Sequence, residues 1–570
     1  MRFLALITDY DGTLAHHGVV APETNEALER LKRSGRKLVM VTGRILPDLE
    51  RVYDRLDLFD RVVAENGAVI HDPETKQTRA LGTGPPDEFV DGLRSRGVAP
   101  LDVGEVIVAT REPNESAVLE EIKERGLELQ VIFNKGAVMV LPAGVNKAAG
   151  MTAALNDLCL SAHNAVGVGD AENDHAFLSA TELAVAVANA LPSLKQLCDH
   201  VTDGDHGSGV RELIDQMIED DLASLAADVT RHDLILGQTP EGDEVRMSPF
   251  APPMLVAGPS GSGKSTLVTG LLERLDESGY QFVVVDPEGD YAGLDKAVTL
   301  GDPDAAPNLD EAAQVLLNQD DDVVLNLLGV PLHDRPSFFQ KLLPKLLEVR
   351  SRTGRPHWIV VDEAHHLLPA GWEHAKETLP TELGGLLPVT VHPDRLSPAI
   401  LEQVGTVVAV GRDPRETIGA AAKALGASAP KRLPKELDTG EAIVWTPKDD
   451  RQTVRFRIQQ ARAEHRRHIR KYAEGELGED ASFYFRGPDD RLNLRAQNLA
   501  LFAQMARGID EETWLHHLSR GDYSDWFRSA IKDDDLASEA EEAERRFADD
   551  AEKSREAILD AVERRYTAPA

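Results

Sequence analysis

A chain of 570 residues is too long for one hydrophobic core, so its length predicts two to four domains. The composition, 42% apolar and 28% charged, is ordinary for a globular protein, but 97 acidic against 62 basic residues give a net charge of −35. That charge repels nucleic acid overall, so any contact with DNA would need a local basic patch.

Cysteine and hydropathy patterns indicate the compartment. The two cysteines, Cys159 and Cys198, have no zinc-binding spacing and do not predict a disulfide framework. The first apolar stretch, Phe3 to Ile7, is too short for a signal peptide, and no segment reaches the roughly 18 apolar residues of a membrane span. The sequence therefore predicts a cytoplasmic protein that contacts no membrane.

The predicted elements form two α/β series followed by helices. Residues 1–218 alternate apolar strands (FLALIT, KLVMVT, RVVAE, AVGVGD) with helical patterns, which favours a parallel sheet, and a small α+β insert interrupts them at about residues 85–142. LILGQTPEGDEVRMSPF predicts a hairpin, and a second series (MLVAG, FVVVD, DVVLNLL, WIVVD, PVTVH, TVVAVG) completes a region at residues 230–450. A basic helical linker is predicted at residues 451–480, and a helical domain with an acidic tail at residues 482–570.

The motif DYDGTL places Asp9 and Asp11 directly after the first strand. Ligands bind at the carboxyl edge of a parallel sheet, where one carboxylate can attack phosphorus while the other protonates the leaving oxygen. Further along, Thr42 follows a second strand, Lys147 supplies a cation, and Asp170 follows another strand, with Asp174 nearby. Oxygen ligands of this kind suit Mg²⁺.

This ordered set resembles the haloacid dehalogenase (HAD) superfamily, and VVAENGAVI resembles its type IIB branch of sugar-phosphate and phosphoglycolate phosphatases. The resemblance implies a Rossmann-like core with a cap that selects the substrate. It implies Asp9 as nucleophile and Asp11 as general acid/base, and phosphate contacts from Thr42, Gly43 and Lys147. The implied metal ligands are Asp9, Asp11, Asp170 and Asp174.

A second phosphate motif, GPSGSGKST, lies between the strand MLVAG and a helical pattern. This context predicts a P-loop, whose backbone N–H groups cradle the phosphates of ATP. Lys264 would reach the β- and γ-phosphates, and Ser265 would hold Mg²⁺. The predicted ATP-binding residues are Gly258, Gly261, Gly263, Lys264, Ser265 and Thr266.

The stretch WIVVDEAHHLLP ends a strand on Asp362, a predicted Mg²⁺ ligand, and Glu363 beside it can orient or deprotonate the attacking water. DEAH also names a class of helicases. The only SAT motif, however, precedes the P-loop, and no Q-x-x-G-R-x-G-R follows Asp362, so the sequence does not favour a helicase.

The segments LGQTPEGDEVRM, VVVDPEGDY, DEAHHLLP and PDRLSPAILEQVGTVVAVGRDPRET resemble the HerA/FtsK group of hexameric, RecA-like ATPases. The resemblance implies a homo-oligomer, with a hexamer as the expected form, and a late arginine that acts on the ATP of a neighbouring subunit. Arg412 and Arg415 are the candidates for that arginine finger. Val391 or His392 replaces a glutamine that senses the γ-phosphate in many members.

Arg451 to Lys471 carries eight basic residues against one Glu and is the candidate patch for nucleic acid, with a solvated helix face as the alternative. Three hypotheses remain open. The chain is a phosphatase for a small phosphorylated metabolite joined to an ATPase, a ring-forming DNA motor whose phosphatase trims DNA ends, or a regulator gated by ATP.

Overall fold

The structure, a computed structural model, describes residues 1–566 apart from residues 135, 295, 372–379, 381–382, 448–452, 460, 462–481, 489–490 and 532. Both α/β regions belong to one compact unit, and the described residues after 460 form most of a second unit. The α/β fold class, with helices following it, is therefore confirmed.

The first region is built on an eight-stranded sheet. The main sheet contains β1 (Ala5–Asp9), β2 (Lys37–Val41), β3 (Arg61–Ala64), β4 (Val69–His71), β5 (Thr78–Ala80), β10 (Ala165–Gly169), β11 (Leu183–Ala186) and β12 (His200–Val201). A separate sheet contains β6 (Asp102–Val103), β7 (Val108–Arg111), β8 (Leu129–Asn134) and β9 (Ala137–Pro142). The helices of this region are α1 (Pro22–Arg33), α2 (Leu46–Val52), α3 (Asp87–Ser95), α4 (Glu115–Arg125), α5 (Lys147–Asp157), α6 (His175–Ala180), α7 (Pro192–Leu197), α8 (His206–Asp220) and α9 (Ala223–Ala226).

The order of the main sheet is β12-β11-β10-β1-β2-β3-β4-β5. All of its pairs are parallel except β3–β4 and β4–β5, and every residue of β1 and β10 is buried, which is typical of a sheet covered on both faces. The insert forms a separate antiparallel sheet, β6-β7-β9-β8, packed on α3 and α4. We call this insert, residues 87–142, the cap.

The second region is built on an eleven-stranded sheet. Its strands are β13 (Leu234–Gln238), β14 (Glu244–Met247), β15 (Met254–Ala257), β16 (Phe282–Asp286), β17 (Ala297–Leu300), β18 (Asp322–Asn326), β19 (Trp358–Val361), β20 (Leu386–Thr390), β21 (Thr406–Val410), β22 (Glu441–Trp445) and β23 (Thr453–Ile458). Its helices are α10 (Lys264–Glu277), α11 (Leu309–Val315), α12 (Arg335–Thr353), α13 (Pro398–Leu401) and α14 (Pro414–Leu425).

The order of this sheet is β14-β13-β23-β22-β21-β15-β20-β19-β16-β18-β17. The seven strands from β21 to β17 are parallel, and the other four are antiparallel additions at one side. The β13–β14 pair confirms the predicted hairpin. Strand β20, inserted between β15 and β19, brings the polar ends of three strands to one edge.

One predicted element differs. The sequence predicts helix from residue 451, but Thr453–Ile458 forms strand β23 beside β22. The sequence TVRFRI alternates apolar Val454, Phe456 and Ile458 with Arg455 and Arg457, and a period of two suits a half-buried strand. The rest of the predicted linker, residues 462–480, lies outside the described residues.

The C-terminal unit contains a hairpin and helices. Its elements are β24 (Phe483–Phe485), β25 (Leu494–Ala496), α15 (Leu499–Gly508), α16 (Glu511–Leu518), α17 (Asp522–Trp526), a π-helical turn (Phe527–Ile531), α18 (Asp534–Arg546) and α19 (Ala551–Tyr566). Trp514 and Trp526 lie in its core, as their helical spacing predicts. Among the described residues, none of the helices combines the length and the apolar composition that a bilayer-spanning helix needs.

Candidate active sites

Four predicted residues of the first region meet at the carboxyl edge of its sheet. Asp9 ends β1, Asp170 follows β10, and one carboxylate oxygen from each of Asp9, Asp170 and Asp174 lies within 4.8 Å of the other two. All three are buried. Lys147, the first residue of α5, places its Nζ 2.5 Å from Asp9 Oδ1 and 2.6 Å from Asp174 Oδ1.

Burial dominates the electrostatics of this cluster. It raises the pKa of Asp9, and the Lys147 ammonium opposes that rise. Burial lowers the pKa of Lys147, but Asp174 and Asp9 raise it above its ordinary value, so the side chain stays charged. One ammonium thus pairs with two of three clustered carboxyl groups, an arrangement that favours a further cation.

Two glycines make the close approach of these groups possible. A Cβ on Gly12, whose φ is +90°, would lie 2.2 Å from Asp170 Oδ2. A Cβ on Gly169 would lie 2.7 Å from Asp174 Oδ2, which accepts hydrogen bonds from the backbone N–H groups of Asp170 and Ala171. Side chains at either glycine would displace the carboxylates.

Asp11 lies outside the carboxylate cluster. Its side chain is 45% exposed and forms a bidentate ion pair with Arg44, at 2.6 Å from Nε to Oδ2 and 2.7 Å from Nη2 to Oδ1. The roles of Asp11 as general acid/base and as metal ligand stay predictions, and its carboxylate is paired with Arg44 rather than clustered with the other three. Arg44 is not among the residues predicted from the sequence, although it directly follows the predicted phosphate residues Thr42 and Gly43.

The cap reaches the same site. Thr42 follows β2 and is buried. A Cβ added at Gly43 would lie 3.7 Å from the sulfur of Met139, in the cap strand β9, and 3.8 Å from Nδ2 of Asn173. Asn173 in turn donates a 3.0 Å hydrogen bond to Asn66 Oδ1. A substrate phosphate beside Thr42 and Gly43 would therefore lie under the cap.

Glu65 ties the core to the cap. Its buried carboxylate accepts hydrogen bonds from the backbone N–H groups of Glu105, Val106 and Ile107, at 2.8, 2.8 and 2.9 Å. A Cβ on Gly104 would lie 2.5 Å from Glu65 Oε1, so a glycine is needed there. Glu65 belongs to the motif VVAENGAVI, from which no role for its side chain is predicted.

The P-loop has the predicted strand–loop–helix context. Gly261 and Gly263 have φ values of +72° and +95°, and α10 begins at Lys264. A Cβ on Gly258 would lie 2.2 Å from the carbonyl of Val410. Lys264 Nζ donates to the Pro259 carbonyl at 3.0 Å, and Ser265 and Thr266 are the next residues of the helix.

The predicted water-activating pair follows β19. Asp362 is buried, which raises its pKa to about 7, and burial also raises the pKa of Glu363. Glu363 has a φ of +41°, in the left-handed region, and precedes a 3₁₀ turn, Ala364–His366. A non-glycine residue held there is strained, and such strain is concentrated at functional sites.

His365 is a neighbour of Glu363 that the sequence analysis did not single out. Its Nδ1 lies 3.1 Å from Thr390 Oγ1 and 3.3 Å from Glu363 Oε2. Burial lowers the pKa of His365 to about 4, so the ring is neutral at pH 7. Thr390 ends β20, so His365 connects that strand to Glu363. This connection does not use the side chains of Val391 and His392, which stand where many family members have a glutamine.

The two candidate arginines differ. Arg415 donates from Nη2 to the Leu433 carbonyl at 2.9 Å and from Nε to the Pro434 carbonyl at 3.2 Å. The exposed Arg412 guanidinium makes no hydrogen bond or ion pair with the part of the chain that the structure describes. Its neighbour Gly411 lies against the P-loop, where a Cβ would be 3.0 Å from Pro259 Cδ.

Most of the predicted basic patch, including Arg451 and Lys471, lies outside the described residues. Of the remainder, Arg455 pairs with the buried Glu441 at 2.5 Å, and Arg457 is exposed. In the described part of the patch, Arg457 is therefore the one exposed arginine that could contact nucleic acid without breaking the ion pair of Arg455.

Comparison with known proteins matches these two regions separately. The haloacid dehalogenase-like hydrolase family matches residues 6–85 and 99–214, and the AAA ATPase domain matches residues 243–391. The chain is 30% identical over 219 residues to a phosphoglycolate phosphatase of Methanothermobacter thermautotrophicus, covering 37% of this chain and 96% of that protein.

A phosphoglycolate phosphatase of Haloarcula marismortui is also 30% identical, over 224 residues that cover 37% of this chain and 95% of the relative. The crystal structure of a haloacid dehalogenase-like hydrolase from Bacteroides thetaiotaomicron matches 38% of this chain and 99% of its own length, with 17% identity and a TM-score of 0.33. The relatives cover the first region, and the second region is matched as an ATPase domain. The chain thus belongs to the haloacid dehalogenase-like hydrolase family through its N-terminal region and is a phosphatase joined to an ATPase domain.

Proposed function

We propose that the N-terminal region is a Mg²⁺-dependent phosphatase that forms an aspartyl-phosphate on Asp9. This proposal rests on the buried cluster of Asp9, Lys147, Asp170 and Asp174 at one edge of the sheet. Asp9 attacks phosphorus, Lys147 offsets the charge on the phosphoryl oxygens, and Asp11 gives its proton to the leaving oxygen. In the resting site Arg44 holds Asp11 as a carboxylate through two parallel hydrogen bonds, so this ion pair opens before Asp11 takes up and donates the proton.

The donor set supports magnesium as the metal of this site. The three clustered side chains offer only carboxylate oxygens, the ligand type that Mg²⁺ prefers, and a single ammonium leaves negative charge to be balanced. Asp9, Asp170 and Asp174 would hold the ion, which would offset repulsion between the Asp9 carboxylate and the substrate phosphate.

A small phosphorylated metabolite is the proposed substrate, of the phosphoglycolate or sugar-phosphate class. The cap contacts at Gly43 and Glu65 support this size limit, because a lid over the phosphate excludes water and large polymers. Two relatives that match this chain over nearly their own whole length are named phosphoglycolate phosphatases.

The test is phosphate release from phosphoglycolate, several sugar phosphates and a 3′-phosphorylated oligonucleotide, with Mg²⁺ and with a chelator. We expect the small phosphates to be hydrolysed with the higher kcat/KM, and only with Mg²⁺. Faster release from the oligonucleotide than from every small phosphate would contradict the proposed substrate class.

For the second region we propose a HerA/FtsK-type ATPase that works as a ring. Lys264 contacts the β- and γ-phosphates, Ser265 and Asp362 hold Mg²⁺, and Glu363 orients the attacking water. This assignment is supported by the strand order and by Arg412, which follows the Gly411 that lies against the P-loop and whose guanidinium has no partner among the described residues. Light scattering with ATP and Mg²⁺ measures the oligomer, and a fully active monomer would contradict the ring.

A DNA motor is the second candidate function, favoured by the segment Arg451–Lys471. A motor should bind DNA with a steep salt dependence and hydrolyse ATP faster when DNA is present. ATPase rates measured with and without DNA at several salt concentrations separate this function from an ATP-gated regulator, whose ATPase would not respond to DNA.

A further inference from the structure

Three side chains converge where the phosphatase region meets the ATPase region. His163 lies in a 3₁₀ turn before β10, Glu182 directly precedes β11, and His232 lies between α9 and β13. One ligand atom of each lies within 4.8 Å of the other two. The Glu182 side chain is only 2% exposed and that of His163 12%, so this junction cluster is shielded from water.

The hydrogen bonds of the two imidazoles fix their tautomers. Nε2 of His163 lies 2.7 Å from the carbonyl of Ser278, and Nε2 of His232 lies 3.2 Å from the carbonyl of Thr181. A carbonyl only accepts, so each Nε2 carries a proton, and each neutral ring then has its lone pair on Nδ1. Histidines that bind metals commonly donate their second N–H to a backbone carbonyl in this way.

The Nδ1 atom of His163 faces a second acceptor. It lies 2.9 Å from Glu182 Oε2, and two acceptors at that distance repel unless a proton or a metal cation lies between them. The guanidinium of Arg2, with Nη2 2.6 Å from Glu182 Oε1, favours the charged carboxylate form of Glu182.

Outer contacts orient the carboxylate. Arg2 Nη2 lies 2.6 Å from Glu182 Oε1, and the hydroxyl of Tyr280 donates to Oε2 at 2.8 Å. The Tyr280 ring also stacks on His163, with ring centroids 3.7 Å apart. Tyr280 and Ser278 belong to the ATPase region, directly after the P-loop helix α10, so both regions contribute to the surroundings of the cluster.

We propose that His163, Glu182 and His232 form a transition-metal site, with Zn²⁺ as the favoured ion, that braces the phosphatase against the ATPase. Two imidazoles and one carboxylate are an established zinc ligand set that leaves a fourth position for water. The site is separate from the oxygen-only cluster at Asp9, which contains no nitrogen ligand. It therefore selects a different metal.

The test uses untagged full-length protein dialysed against trace Zn²⁺ with millimolar Mg²⁺. We expect one zinc ion per chain, and Co²⁺ in its place should give the visible absorption of a tetrahedral site. His232→Gln removes a ligand and should weaken zinc binding by more than the ~10–100-fold that an outer-shell partner is worth. Tyr280→Phe keeps the stacked ring, loses only the outer hydroxyl and should weaken binding by about 10-fold.

Two controls keep the result specific. His333→Gln removes an exposed histidine elsewhere, and Asp170→Asn alters the phosphatase cluster, so neither should change zinc binding. If the wild-type protein binds no zinc, or if His232→Gln binds it as tightly as wild type, the metal site is refuted and an imidazolium–carboxylate ion pair explains the cluster.

Discussion

In the phosphatase site Asp9 and Asp174 share the Lys147 ammonium, at 2.5 and 2.6 Å. In the ATPase site Asp362 and Glu363 have no lysine or arginine within ion-pair distance among the described residues, and Lys264 donates to a backbone carbonyl instead. The first site draws its permanent cation from its own chain. The second site has Lys264 for the phosphates, but the cations that face Asp362, Glu363 and the transferred phosphate arrive with the nucleotide's metal and an arginine, which suits a reaction controlled by assembly.

The largest expected effect separates the two sites. Asp9→Asn removes the proposed nucleophile, which no neighbour can replace, so phosphatase kcat should fall by at least about 10⁴-fold, while ATP hydrolysis continues. Lys264→Ala should abolish ATP hydrolysis and leave phosphate release from a generic aryl phosphate unchanged. Retained phosphatase activity in Asp9→Asn would show that Asp9 is not the nucleophile.

The missing cation of the ATPase site gives the second prediction. Arg412→Ala should lower ATPase kcat by about 10³-fold, the usual worth of an arginine finger. Arg415→Ala is the matched control and should change kcat little, because Arg415 is already bonded to the carbonyls of Leu433 and Pro434.

Mixing subunits shows whose ATP Arg412 serves. Arg412→Ala and Lys264→Ala subunits are each expected to be nearly inactive, and recovery of ATPase after mixed reassembly indicates an arginine that acts in trans. Gly411 lies against the P-loop of its own chain. If ATPase activity does not recover in the mixture, Arg412 acts on the ATP of its own subunit, and an arginine finger between subunits is contradicted.

The cap connection of the phosphatase site gives the third prediction. Glu65→Gln replaces a carboxylate that accepts three backbone hydrogen bonds, and its amide would face N–H donors. Hydrogen bonds to a charged group contribute about 1.5–3 kcal/mol, so kcat/KM should fall by about 10–100-fold. The Glu65→Gln variant should keep the wild-type ATPase rate. The control Glu105→Gln, at an exposed side chain, should keep the wild-type kcat/KM for phosphate release. Equal losses of kcat/KM in both variants would rule out a role for the contact between Glu65 and the cap.

The smallest expected effect concerns the positioning of Glu363. His365→Ala removes the ring between Glu363 and Thr390, and a lost hydrogen bond of about 1 kcal/mol should slow ATP hydrolysis by 5–10-fold with little change in KM. His366→Ala, its neighbour in the 3₁₀ turn, is the control. A change in KM alone would indicate that His365 contributes to ATP binding rather than to water activation.

Local patterns in the sequence determined the two sheets and the residues at their edges. Apolar runs ended in Asp9, Asp170 and Asp362, and parallel strands bring such ends to one edge whatever the loops between them do. The P-loop was equally local, because its glycines and lysine are consecutive. The arginine-rich sequence at Thr453–Ile458 was misread as helix because its charge obscured an alternation with period two.

Contacts between distant residues were decided by the tertiary structure alone. Arg44 meets Asp11 across 33 positions, Glu65 meets Val106 across 41, and Tyr280 meets Glu182 across 98. No periodicity encodes such pairs, since they depend on how the cap folds onto the core and how one sheet packs beside the other. The sequence therefore determined the carboxylates and lysines of the two phosphate sites, and the fold decided which further residues, such as Arg44 and His365, contact them.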